Sequence, residues 1–373
     1  MADALAQHRH ALELGEQLYG PLDPRNAASH NNIGNVLRTK GELDSALEHL
    51  EQARAITEGA FGSGHPNVVN SLNNIAGVLI ERGELTEALG KLRRALEIQR
   101  AAAGEQHPVV ASNLGNIGNV LRRQGKAEDA LEHIVQSLAI REALLGPEHP
   151  DVAASASNAA IVLIGLGKLD DARKYLDRAL AIREKALGPE HLDVAATLNS
   201  LGIVAEYSGE VDVALGYQRR AVVVLEKALN HSHPNVAFPL INVGNLLMYD
   251  GQLDEAEQAF QRASTIFEEA FGQDHVRLAY TLIGLAGIAQ RRSDAVAART
   301  FAERAVSIRE KNEVSRGEMV AAHHALVLAL GLDPSQRVEA RALAQRTLQA
   351  YRELGDEQKR EELESWLVEH PKQ

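Results

Sequence analysis

Along this chain apolar residues come in paired blocks, each block spaced for one face of a helix. In one such pair Leu72, Ile75, Ala76 and Leu79 recur at helical spacing up to Gly83. A second block follows, with Leu85, Ala88, Leu89, Leu92, Ala95, Leu96 and Ile98 on one face, and Gly104 ends it. Pro66 suits a first helical position, where its missing N–H would be unpaired anyway. Gly83 suits the left-handed conformation of a helix C-terminus. The connection Gly83-Glu84 is too short for anything but an antiparallel return, so the pair predicts a helical hairpin.

The hairpin recurs. His65, His107, His149, His191, His233 and His275 stand 42 residues apart, as do Gly41, Gly83, Gly125, Gly167, Gly209 and Gly251. Ala46, Ala88, Ala130, Ala172, Ala214, Ala256, Ala298 and Ala340 keep the same period, with no insertion. A fixed period of this length means one supersecondary unit stacked on itself. The fold class that follows is all-α: a right-handed superhelical solenoid of antiparallel helical hairpins. Each hairpin carries small residues where its helices cross: Ala88 in the second helix, and Ala76 with its equivalents Gly34, Gly118, Ala160, Gly202, Gly244 and Ala286 in the first. Large side chains there would push the axes beyond the usual ~8–10 Å.

Seven units are expected over 24–317, and a degenerate eighth over 318–354, with Ala340 still in register. The seventh has Val276 in place of Pro and Ser293 in place of Gly. Residues 1–20 match only the second helix of a unit: Ala4, Leu5, Ala11 and Leu14 align with Ala46, Leu47, Ala53 and Ile56. They read as a half repeat or a cap, and a mid-repeat start also fits a fragment of a longer protein. A last helix over 356–370 follows Asp356 as N-cap and carries Leu363, Trp366 and Leu367 on one side, with Trp366 expected to pack at the cap. Pro239, five residues after Pro234, predicts a kink or a late start in the first helix of the sixth unit.

The crossing residues read Ile75-Ala76-x-x-Leu79 and then Ala88-x-x-x-Leu92. This resembles the tetratricopeptide pattern, with its aromatic positions turned aliphatic. The 42-residue length, and phrases such as LGPEHPDVAASASNAAIVL and HPNVVNSLNNIAGVL, resemble the repeats of kinesin light chains and their bacterial relatives. The resemblance covers nearly the whole chain and implies a concave groove that holds extended peptides. Nothing resembles the coiled coil that joins kinesin light chains to a motor, so no transport role is implied.

Composition narrows the partners. Apolar residues are 45% and aromatics 4%, so the core must be built from Ala, Leu, Ile and Val. Net charge is −12, which is not the basic footprint of a nucleic-acid binder, and mildly favours a basic partner. No cysteine is present, so disulfides and thiolate metal sites are out. No apolar run is long enough for a membrane span and no signal peptide opens the chain, so no membrane partner and a cytoplasmic location are expected. Arg outnumbers Lys, 29 to 10, as a GC-rich bacterial genome would produce.

The candidate site is a ladder of asparagines on the first helices. Asn32, Asn74, Asn116, Asn158 and Asn242 occupy one equivalent position, interrupted by Ser200 and Gly284. One turn on come Asn35, Asn119 and Asn245, and beside them Asn31, Asn73 and Asn199. Asn is mediocre inside helices, so its repetition suggests a use. A carboxamide donates and accepts, and so can grip a peptide backbone whatever its side chains are. Asn groups that bond neighbouring helices, or that duplication simply copied, are the competing readings. Arg38, Arg122 and Arg123 would add charge near the ladder.

Catalytic chemistry is not expected. The periodic histidines cannot converge on a metal, because hairpins are separated by at least one helix-packing distance. Their expected task is to bond backbone groups at the helix starts. His8/His10 and His323/His324 lack a complete ligand set, and no Walker loop, His-Glu-x-x-His or Gly-x-Ser-x-Gly motif occurs. No cofactor is expected. The function expected is a scaffold binding an extended peptide or protein segment. The alternatives are a regulatory or sensory region of a larger bacterial signalling enzyme, such as a protein kinase, and a structural oligomerisation module. A monomer and self-association through the N-terminal half repeat both stay open.

Overall fold

The structure, a computed structural model, describes residues 2–371; Met1, the first residue of the half repeat read from the sequence, lies outside them. The described residues form eighteen α-helices, one short 3₁₀ turn and no strand, in an all-α repeat solenoid. Helix α1 (Ala2–Tyr19) is followed by hairpins α2/α3 (Pro24–Thr39, Leu43–Phe61), α4/α5 (Val68–Glu81, Leu85–Ala103), α6/α7 (Pro108–Arg123, Ala127–Leu145) and α8/α9 (Pro150–Gly165, Leu169–Leu187). Then come α10/α11 (Leu192–Tyr207, Val211–Ala228), α12/α13 (Pro234–Tyr249, Leu253–Phe271), α14/α15 (Leu278–Arg291, Ala295–Glu310) and α16/α17 (Arg316–Gly331, Arg337–Leu354). Helix α18 (Glu357–Glu369) comes last. The chain divides into two compact units, the first ending at Ile182 and the second starting at Arg183.

Within each unit the core runs as a strip between successive helices. All eight periodic alanines, from Ala46 to Ala340, are completely buried. The glycines facing them leave no room for a side chain. A Cβ at Gly34 would lie 2.6 Å from Leu50 Cγ and 3.1 Å from the Ala46 carbonyl; one at Gly118 would lie 2.5 Å from Ile134 Cγ1. Close crossing therefore comes from absent atoms, and the buried Leu and Ile beside them supply roughly 1.5–3 kcal/mol each on burial.

The loop histidines cap the first helices. Nδ1 of His107, His149, His191 and His233 accepts the backbone N–H two residues on, at 3.1–3.3 Å, and Pro108, Pro150 and Pro234 take the first helical position behind them. His65 and His275 make the same bond, to Asn67 and Arg277. Their helices nevertheless start later, so Pro66 is not the first helical residue as its sequence suggests: α4 begins at Val68, and α14 at Leu278. In both cases the preceding helix ends in Phe, and the ring stacks on the histidine (Phe61 on His65 at 4.8 Å, Phe271 on His275 at 4.4 Å). The chain then enters the helix through i→i+3 bonds such as Val69 N to the Pro66 carbonyl.

Pro239 does not delay its helix. Helix α12 starts at Pro234 and runs unbroken to Tyr249. The carbonyl that Pro239 leaves without an N–H partner belongs to Asn235, an exposed residue of the first turn, where solvent can satisfy it. The equivalents of Pro239 explain the substitution further. Asn113, Ser155 and Thr197 each bond a long side chain of the preceding helix: Gln99 (3.2 Å), Arg141 (2.9 Å) and Arg183 (2.5 Å). In the sixth unit that long side chain is Leu225, packed with Val236, Ala237 and Leu240, so a buried proline replaces a hydroxyl.

At the C-terminal end Asp356 caps α18 by accepting from Lys359 N at 3.1 Å. Trp366 is buried, stacks on His370 at 4.4 Å, and lies so close to Gly331 that any side chain there would strike its ring.

Candidate peptide-binding face

Successive first helices share one face in each unit, and the asparagines lie on it. Between α2 and α4 six of them, Asn31, Asn32, Asn35, Asn70, Asn73 and Asn74, line one open hollow of about 420 Å³ together with Ala28. Asn70 was not singled out from the sequence, because it has no asparagine equivalent in the next repeat.

The ladder has two kinds of member. Some asparagines bond across the repeat. Asn74 Nδ2 donates to Asn31 Oδ1 at 3.3 Å, and Asn31 Nδ2 donates to Ser71 Oγ at 3.1 Å. In the second unit Asn242 Nδ2 donates to Asn199 Oδ1 at 2.9 Å in the same register, while the Asn199 carbonyl accepts from Gln218 Nε2. Asn31 and Asn199 thus serve, at least in part, the inter-helix role weighed against peptide contact. Asn32, Asn116, Asn119, Asn158 and Asn245 make no side-chain hydrogen bond; Asn32, Asn116 and Asn245 are exposed and Asn119 and Asn158 half-buried. The Oδ1 atoms of Asn35 and Asn73 are buried without a partner. An unpaired buried carbonyl oxygen costs on the order of 1–3 kcal/mol until a donor meets it.

Arg38 lies one turn beyond Asn35, its guanidinium where a side chain at Gly77 would stand, and 3.8 Å from Glu81. Arg122 and Arg123 are exposed and make no ion pair. Asn113, on the other side of the same helix, is buried and bonds the Leu92 carbonyl and Gln99, which is a packing role.

The second unit carries a different hollow, of about 530 Å³, between α12, α14, α16 and the end of the chain. Met248, Ile283, Ala325 and Leu328 give it an apolar wall, and Lys359 and Glu362 of α18 close one side. His324 and Tyr351 meet there, with Nδ1 3.0 Å from the hydroxyl. Burial holds the His324 imidazole down at about 4, helped by nearby Lys359, and pushes the Tyr351 hydroxyl up. Both side chains therefore stay neutral over the physiological range. Among the described residues no group of three or more His, Asp or Glu side chains could hold a metal ion, and no helix is long and apolar enough to cross a membrane.

The tetratricopeptide repeat model matches residues 1–59, 25–101, 67–143, 109–185, 151–227 and 235–311. The chain belongs to the tetratricopeptide repeat family. Its solved neighbours carry the same architecture. A putative kinesin light chain from Podosopora anserina, built of nearly identical tetratricopeptide-like repeats, is 24% identical over 55% of this chain and 97% of its own, with a TM-score of 0.50. BtubC (BKLC) from P. vanneervenii is 22% identical over 62% of this chain and 92% of its own, TM-score 0.53. The apo form of RapI is 20% identical over 76% and 98%, TM-score 0.59. At these identities the likeness concerns the fold. No curated protein matches the chain by sequence. Tetratricopeptide repeats generally mediate protein–protein interactions, and the family is typically non-catalytic.

Proposed function

We propose that this tetratricopeptide protein is a scaffold that holds an extended peptide segment of a partner protein along its first-helix face, with carboxamides gripping the peptide backbone. The observation that carries this reading is the hollow between α2 and α4, where six asparagines converge in about 420 Å³ and the exposed carboxamide of Asn32 has no partner. A peptide N–H is a donor of the right kind, and a carboxamide can answer the neighbouring C=O as well. Repetition at Asn116 and Asn158 continues the same chemistry from repeat to repeat in the first unit, and Asn242 carries it in the second, so affinity adds from repeat to repeat within a unit without demanding a particular side chain.

The test is a peptide-array screen of the full chain beside the double variant Asn74→Ala, Asn116→Ala. At about 1 kcal/mol per lost hydrogen bond, the variant should bind roughly tenfold or more weakly across unrelated sequences, with an unchanged circular dichroism spectrum. Equal binding by the two proteins would remove the asparagine ladder from the mechanism.

A further inference from the structure

On the first-helix face one position repeats near the end of each first helix: Arg38, Ile80, Arg122, Ile164, Glu206, Met248 and Gln290. Its side chain leans toward the next repeat. Arg38 lies over Gly77 and 3.8 Å from Glu81, and Met248 lies over Gly287, its Sδ 3.3 Å from where a Cβ would be. In the same register the positions that face Glu206 as Gly77 and Glu81 face Arg38 are Asn245 and Tyr249. The asparagine pairs Asn31–Asn74 and Asn199–Asn242 keep it too, with a sequence separation of 43.

Arg38 and Glu81 are an acid and a base that satisfy each other inside the protein. At the equivalent pair the charges are rearranged. Glu206 stands where Arg38 stands, and Tyr249 stands where Glu81 stands, so the chain supplies no cation to the carboxylate. Glu206 is half-buried and makes no ion pair or side-chain hydrogen bond. Its carboxyl is raised above the ordinary value by burial, with no charged neighbour acting on it. Tyr249 is 77% exposed, more than any other Phe, Tyr or Trp among the described residues. Asn245, also exposed and without a partner, is the equivalent of Gly77 in this pair of repeats.

We propose that Glu206, Asn245 and Tyr249 form a subsite for one basic side chain, Arg or Lys, of the bound peptide. The carboxylate pairs with the cation, Asn245 Oδ1 accepts from it, and the Tyr249 ring offers its face. A guanidinium fits best, since it pairs in a plane and stacks at once. The overall charge of −12 draws such a peptide in. This subsite rests on the peptide-binding reading of the first-helix face and adds the chemistry of one residue of the peptide.

The experiment is a positional-scanning library of short random peptides, screened against the full chain and against Glu206→Gln, Glu206→Arg and Tyr249→Ala. The native protein should enrich Arg or Lys at one position by about tenfold. Glu206→Gln should abolish that enrichment while total library binding persists, Glu206→Arg should turn it toward Asp or Glu, and Tyr249→Ala should reduce it about threefold. Tyr249 is exposed and Glu206→Gln keeps the size of a half-buried side chain, so the thermal melts of these two variants should superimpose on that of the native chain. Binding without a basic preference, or a basic preference untouched in Glu206→Gln, overturns the subsite and leaves the peptide face standing. A library that does not bind at all overturns both.

Discussion

The two hollows on the first-helix face are built on one backbone and have opposite chemistry. In the first unit carboxamides line the hollow and Arg38 lies over Gly77 one turn beyond them; in the second Met248 lies over Gly287 beside Ile283, Ala325 and Leu328. The glycine is the same device in both, since it lets a neighbouring side chain lie flat. What differs is the side chain laid on it, one charged and one apolar. The repeat fixes where side chains point, and each position is then free to choose its chemistry. The supports beneath differ as well. Leu50 fills the crossing under Gly34, whereas its equivalent Phe260 lies in the space beside both Gly244 and Gly284, so one ring holds up two helices.

That contrast is open to direct attack. The largest effect is expected from Phe260→Ala, which empties a fully buried ring position beneath α12 and α14. Urea unfolding should show a loss of about 3–5 kcal/mol, and Phe260→Leu, the side chain of the first unit, should cost distinctly less. Equal losses would mean that a leucine recovers none of the packing at this crossing, against the expectation.

Next comes pH. His324 has a folded pKa lowered to about 4 from 6.5, so its contribution is fully present above pH 6.5 and lost as pH falls toward 4. The unfolded chain binds the proton more readily, and about 3 kcal/mol should disappear across that window. His324→Gln should flatten this part of the stability–pH curve. The carboxamides of the first hollow do not titrate and add no such step. A variant with the same slope as the native chain would break the assignment.

A smaller effect lies at the hairpin turn of the seventh repeat. Ser293 holds φ 59° where Gly41, Gly83 and Gly125 of the first unit hold φ 77–81°. Ser293→Gly should stabilise by about 1 kcal/mol, read as a rise in melting temperature. No change would mean that the serine pays nothing for its conformation.

The smallest effect concerns a ladder of ion pairs along the second helices. Arg220, Arg262 and Arg304 of the second unit reach back to Glu184, Glu226 and Glu268, each 36 residues earlier. In the first unit Arg94–Glu58 (2.8 Å) and Arg178–Glu142 make the same step, but Arg100 and Gln136 interrupt the series and Arg100 turns to Glu105. The double change Arg100→Glu, Gln136→Arg should close the gap and add about 0.2–1 kcal/mol at low salt, vanishing at high salt. A gain that survives high salt would point to packing instead.

Much of the fold was legible because period and composition are linear properties. The 42-residue register, the small residues at the crossings and the capping histidines follow from the spacing of residues and from local backbone chemistry. Local rules also misled at two places. Pro239 looked like a late helix start because the sequence does not display its buried surroundings. Pro66 looked like a helix start because the stacking of Phe61 on His65 joins residues whose rings the sequence does not orient.

The candidate site was legible in part for the same reason. Repetition exposed Asn32, Asn74 and Asn116 as a ladder, but it could not separate Asn31 and Asn199, which take hydrogen bonds from the next repeat, from neighbours left unbonded. Nor could it bring His324 to Tyr351. The sequence by itself determined the hairpin, its period and the order of small and large residues, because helix formation and close crossing depend on neighbours within one or two turns. Tertiary structure decided which polar groups are spent inside the protein and which are left for a partner, because hydrogen bonds and desolvation depend on atoms a full repeat away.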